Sequence, residues 1–198
     1  MRNFLIILGV SVVFIGLWQT CSHSSKPRYA YNSPNRTSVV TPVDKYIRDL
    51  SDEKSYSIVL HDMELDESKG IYRHKYRITK NVTDSTSKPY VMEWVNVDEA
   101  FFAENVDNMG LELASKTADG KVHKTPSPAG FNGYVGNTQY GNWKQDNQGN
   151  KFWEYYGQYA FMSSLLNASQ PRIYQNTYSH YDSYRNDPYT RAKPYYGT

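Results

Sequence analysis

Cysteine is almost missing from this sequence. Among 198 residues there is one, Cys21. No disulfide can close within the chain, and no cysteine-based zinc or iron–sulfur site can be built. A surplus of charge is missing too: 22 Lys and Arg stand against 20 Asp and Glu, a net +2. A nucleic-acid binder would carry a dense basic stripe, so no nucleic-acid partner is expected. Motifs of known chemistry are also lacking. There is no G-x-S-x-G elbow, no phosphate-cradling glycine pattern and no EF-hand spacing. No catalytic residue, metal ligand or cofactor is assigned, and the chain leans away from being an enzyme.

Hydrophobic residues make up 39% of the chain, less than in an ordinary globular protein. Only one apolar run is long, Phe4 to Trp18 (FLIILGVSVVFIGLW). As a helix it spans roughly 22 Å, short of the ~30 Å hydrocarbon core. That length suits the apolar core of a signal peptide. Arg2 and the α-amino group precede the run, Cys21 follows three residues after it, and Ser22, His23, Ser24 and Ser25 open a polar stretch. The layout resembles a bacterial lipoprotein signal peptide, in which a peptidase cuts just before a cysteine that carries lipid. The resemblance implies lipidation at Cys21 and membrane anchoring at the extracytoplasmic face of a cell envelope. Trp18, Gln19 and Thr20 stand where such peptides usually have a leucine-like residue and two small ones. An uncleaved anchor and a cleaved soluble product therefore stay open as alternatives. Basic residues flank the run on both sides, at Arg2 and at Lys26, Arg28 and Arg36, so they do not decide the orientation.

What the chain does hold is tyrosine, 19 of them. Tyrosine offers apolar area and a hydrogen-bonding tip, and serves half-wet surfaces as well as cores. Four regions are expected: residues 1–20 as signal peptide or anchor, 21–42 as a flexible linker, 43–170 as a globular domain, and 171–198 as a tyrosine-rich disordered tail. Thr41-Pro42 suits the start of a helix from about Val43 to Leu50. Tyr56–Leu65 and Ile71–Thr79 read as an antiparallel hairpin, with Tyr72, His74, Tyr76 and Ile78 on one face and Arg73, Lys75 and Arg77 on the other. Tyr90–Val97, Leu111–Thr117 and Phe152–Tyr156 are further strands. Asp98 suits the cap of a helix through about Val106, and Gln158–Leu166 a closing helix. The fold class expected is α+β, a mainly antiparallel sheet with short helices in a single small domain. After Pro171 the branched aliphatics needed to offset ordering entropy are absent, which motivates the disordered tail.

Candidate chemistry is thin. His61 and Glu64 fall on opposite faces of a strand unless a bulge intervenes. Asp62, Glu64 and Asp66 share a face and read as a solvated edge. The carboxylate pairs Glu93 and Asp98, or Glu112 and Glu154, have the residue types of a glycosidase without its geometry. The best signal is aromatic. Phe131, Tyr134, Tyr140, Trp143, Phe152, Trp153, Tyr155, Tyr156 and Tyr159 crowd together among Asn, Gln and Gly. Such rings form either a core or a surface for sugar or peptide recognition. Tyr134, Tyr140 and Trp143 are the candidate ligand-binding residues, Trp143 leading because a polar loop is expected around it. The stretches NMGLELASKTADGKVH, GFNGYVGNTQYGNW and FWEYYGQYAFMSSLL resemble a family of bacterial envelope proteins to which no activity attaches. Two functions are expected to compete: a membrane-anchored, non-enzymatic binding or scaffold protein with a glycan or protein partner, and an envelope glycan hydrolase.

Overall fold

The computed structural model describes residues 40–166 and 172–196. The apolar run, Cys21 and nearly all of the expected linker lie outside the described residues.

Thr41 caps helix α1 (Pro42–Asp49): its hydroxyl accepts from the Asp44 N–H at 3.1 Å and donates to the Asp44 carboxylate at 2.8 Å. Pro42 fills a first-turn position whose N–H would have no partner in any case. Val43, Tyr46 and Leu50 repeat at helical spacing and are buried. They pack on one face of a sheet whose strands lie in the order β3 (Tyr90–Val91), β2 (Ile71–Lys80), β1 (Tyr56–Asp66), β5 (Glu112–Lys116), β6 (Val122–His123). Strand β1 (Tyr56–Asp66) is central and pairs antiparallel with β2 (Ile71–Lys80) and β5 (Glu112–Lys116). The turn between β1 and β2 is held by Asp66, which accepts from Ser68 and Lys69. β6 (Val122–His123) extends β5. The α+β class and the antiparallel hairpin are as expected. His74, Tyr76 and Ile78 are buried while Arg73, Lys75 and Arg77 stay partly in solvent.

The strand expected over Tyr90–Val97 is split into β3 (Tyr90–Val91) and β4 (Val95–Val97), both on the outer edge of β2. Val91 pairs with Arg77 and Val95 with His74, so four steps on the edge oppose three on β2. One extra residue is accommodated there, and the Lys75 ammonium lies 5.0 Å from the centre of the Trp94 ring. A second irregularity falls at His61, between Leu60 and Asp62. Helix α2 (Glu99–Glu104) is capped by Asp98, which accepts from Phe101 N–H at 2.7 Å, and it ends before Val106. Its Phe101 and Phe102 lie 5.4 Å from the His74 ring.

Parity along β1 sends Ile58 and Leu60 toward α1 and Val59 to the other face. A second cluster grows on that other face from the loop 126–140, from the hairpin β7 (Gly141–Gln145) and β8 (Lys151–Tyr155), from α3 (Met162–Leu166) and from α4 (Gln175–Asn186). The closing helix expected over Gln158–Leu166 is a 3-10 turn, Gly157–Tyr159, followed by α3.

The chain after Pro171 is not a disordered tail in its described part. Trp153 N–H donates to Ile173 O at 2.8 Å, α4 follows, and Tyr181 and Tyr195 are buried at 5% and 3% exposure. Residues 187–196 then fold back as a strap. Tyr195 N–H donates to Pro126 O at 2.9 Å, and the Arg185 guanidinium donates to the carbonyls of Arg191, Lys193 and Pro126, each at 2.9 Å. Aliphatics are not needed here because tyrosine rings supply the buried area and their hydroxyls find acceptors: Tyr184 on Pro194 O, Tyr195 on Thr177 O.

Candidate functional site

The β5–β6 turn, the loop 131–140 and one face of α4 enclose a cavity of ≈ 650 Å³. That is within the usual size range of small-ligand sites. Each wall has a local cause. In the turn, Gly120 takes φ +86° and its N–H donates to Thr117 O, while Asp119 accepts from the Thr117 hydroxyl and the Lys121 N–H. Those bonds, the Thr117 hydroxyl first, hold the Asp119 carboxyl below its ordinary range. In the loop, Gly136 sits at φ +78°, and a Cβ there would fall 2.5 Å from the Tyr178 ring. Glycine thus lets the loop close on α4. On the helix, Tyr178, Tyr181, Asp182 and Arg185 recur at spacings of three and four and share a face.

The floor is a buried polar chain. Asn132 donates to Glu112 Oε1 at 3.3 Å and to Ser127 Oγ at 2.8 Å, and accepts from Tyr181 Oη at 2.6 Å. Ser57 Oγ donates to Glu112 Oε2 at 2.6 Å. Glu112 is 1% exposed. Burial raises its carboxyl above the ordinary range, opposed by hydrogen bonds from Ser57, Ser115, Asn132 and the Gly130 backbone. Glu112 is not a lining residue; Asn132 stands between it and the cavity.

The rim carries both signs of charge. His123 is held below its ordinary pKa, first by burial and then by the positive Lys121, with Arg185 adding to it and Asp119 opposing. Burial pushes the Tyr178 phenol up to about 12. Asn137 and Gln139 add amides.

The three residues singled out from the sequence fall differently. Tyr140 lines this cavity, though only 5% exposed. Tyr134, 1% exposed, is core and meets Tyr140 edge-on at 5.2 Å. Trp143 is not on a polar loop. It stands on β7 directly opposite Trp153, half-buried, with ring centres 5.2 Å apart, and 5.7 Å from Tyr178. The turn is Asp146–Asn150, where Asp146 accepts from the Gln148 and Asn150 N–H groups. Gly141–Gln145 is therefore the first arm of a hairpin. Cys21, the expected lipid-bearing residue, lies outside the described residues.

The remaining candidates separate. Glu154 pairs with Lys144 at 3.6 Å near solvent while Glu112 is enclosed, so these two do not form a catalytic pair. Asp98 is the α2 cap. Glu64 pairs with Arg73 at 3.0 Å and Asp66 with Lys69 at 3.0 Å, and no group of three metal-ligating side chains occurs among the described residues. His74 is wholly buried, with Nδ1 3.0 Å from Tyr76 Oη, and burial holds its pKa near 4. His180 lies on α4, 3.2 Å from Tyr195 Oη. Sequence reasoning missed the site itself, because Tyr178, Tyr181, Asp182 and Arg185 belong to the presumed tail. Their helical spacing was the available signal.

No protein-family model, curated protein or solved structure matches this chain.

Proposed function

We propose that this chain is a membrane-tethered, non-enzymatic binding protein of a cell envelope, and that the cavity beside α4 takes a small polar ligand, a glycan or peptide fragment. The observation that carries the binding reading is the make-up of the cavity. Amides from Asn137 and Gln139 stand with aromatic rings of Phe131, Tyr140 and Tyr178 around one concave volume. Rings supply apolar contact and amides orient hydroxyls or peptide groups. The tether rests on the sequence alone, on the apolar run and the placement of Cys21.

A glycan hydrolase needs a substrate-facing acid with a raised pKa and a second carboxylate beside the scissile bond. The raised carboxyl here, Glu112, is shielded by Asn132, and Asp119 on the rim is lowered. These features favour binding over hydrolysis.

The test is retention of the detergent-solubilised full chain on isolated cell-wall glycan and on its peptide-bearing form. Ala118 is exposed at the rim, so Ala118→Trp fills the mouth without touching the core. Retention should be lost with the melting temperature unchanged. Equal retention of the variant would remove the cavity from the function. The tether is tested separately, by the mass of the mature N-terminus: an acylated Cys21 as first residue supports it, and an unmodified Cys21 refutes lipidation.

A further inference from the structure

We infer that the cavity is built for a zwitterion, a short peptide with free ammonium and carboxylate ends. This rests on the proposal that the cavity binds a ligand. Four charged side chains of fixed sign line it, two of each sign. Two of the four are already committed. Asp119 accepts from Thr117 and Lys121 within its own turn, and Arg185 gives its two terminal nitrogens to the carbonyls of the strap and Pro126, with Nε buried and without a hydrogen-bond partner. The other two, the Lys121 ammonium and the Asp182 carboxylate, make no ion pair among the described residues, and they do not pair with each other. The Lys121 ammonium does lie near enough to Asp119 to help lower its carboxyl.

These two charges come from different walls, Lys121 from the β5–β6 turn and Asp182 from α4. An unpaired cation and an unpaired anion on separate walls of one cavity match a ligand carrying both charges apart. A carboxylate end is met by Lys121, with the His123 ring beside it, and an ammonium end by Asp182. A singly charged ligand would engage only one of them, and a neutral sugar would leave both to water. The size is compatible. A sphere of ≈ 650 Å³ is about 11 Å across, and three extended residues reach about 10–11 Å. Tyr178, half-buried, supplies apolar contact for small side chains.

The probes are trialanine, N-acetyl-trialanine, trialanine amide and the neutral disaccharide chitobiose, titrated calorimetrically into the full chain in detergent. Trialanine should bind. Blocking either end should weaken it by about tenfold or more, the cost of losing one charge-assisted hydrogen bond. In Lys121→Gln the amide should bind as well as the free acid does. In Asp182→Asn the acetylated form should match the free amine. Both side chains are exposed, so both variants should fold. If both blocked peptides bind as tightly as trialanine, the zwitterion inference fails while the cavity stands as a peptide site. If chitobiose alone binds, peptides are excluded and the cavity is a saccharide site. If no probe binds, the inference and the proposed function of this cavity fall together.

Discussion

Removing one oxygen from the Tyr181 side chain tests whether α4 is part of the folded domain. Tyr181 Oη donates to Asn132 Oδ1 at 2.6 Å, and both residues are buried. In Tyr181→Phe the ring keeps its contacts with Phe131, Tyr178 and Tyr195, whose centres lie 5.2, 5.8 and 5.3 Å away. What is lost is the hydroxyl, and Asn132 Oδ1 is left in the interior without that donor. An unsatisfied buried acceptor costs about 1–3 kcal/mol. For a domain of this size, each kcal/mol moves the melting temperature by about 2–4 °C, so a fall of about 2–12 °C is expected. Tyr181→Ala removes the ring as well, and truncation of a buried aromatic costs about 3–5 kcal/mol. The assay is a thermal melt of the full chain followed by circular dichroism. Limited proteolysis should in parallel show α4 protected in the native protein and cleaved in Tyr181→Ala. If both variants melt with the native protein and α4 is cut as readily as an exposed loop, α4 is not docked and the cavity has lost one wall.

Glu112→Gln should stabilise the protein at neutral and higher pH. The folded carboxyl is raised above its unfolded value, so its contribution is intact at low pH and is lost as pH rises through the folded pKa. A denaturation series whose alkaline arm is the same in the variant refutes this. His74 acts on the acid side. Its folded pKa is near 4 against 6.5 when unfolded, so stability should fall as pH drops from about 6.5 toward 4, by roughly 3 kcal/mol. His74→Phe should flatten that arm, and an unchanged acid profile counts against it. Trp143→Ala should lower stability by about 1–3 kcal/mol, less than a full core truncation because the ring is half-buried against Trp153; an unchanged melt would put Trp143 back on the surface. Thr41→Ala should cost about 0.5–2 kcal/mol through loss of the α1 cap, and chemical denaturation with no shift of midpoint would remove that cap from the stability of the domain.

Local chemistry was enough to read much of the first half of the domain. Thr41-Pro42 and Asp98 announce helix starts because their side chains satisfy backbone N–H groups that nothing distant competes for. The alternation from Tyr72 to Ile78 announces a half-buried strand because the pleat has period two. Neither signal depends on where the partner lies in the chain. Even here the sequence was silent on the extra residue at Met92–Trp94 and on the irregularity at His61, since register is decided by two strands together.

The second half escaped because its signals are relational. Gly141–Gln145 looks like a polar loop by itself, and becomes a strand only when Asp146–Asn150 turns it back against Lys151–Tyr155. Trp143 changes from an exposed ring to a half-buried one by the same pairing. The tyrosines after Pro171 carry no aliphatic pattern, and tyrosine suits water or core equally. Phe131 and Asn132 settle the matter by offering Tyr181 a ring and an acceptor. The site was hidden for the same reason. Lys121, Asn132 and Asp182 are ordinary polar residues in sequence, distant from one another, and no spacing rule connects a turn, a loop and a helix. Sequence alone determined the helix caps, the β1–β2 hairpin and the α+β class. Only tertiary structure decided which tyrosines are core, that Glu112 is sealed behind Asn132, and that two charges without an ion pair line separate walls of one cavity, because burial and pairing are properties of surroundings and not of residues.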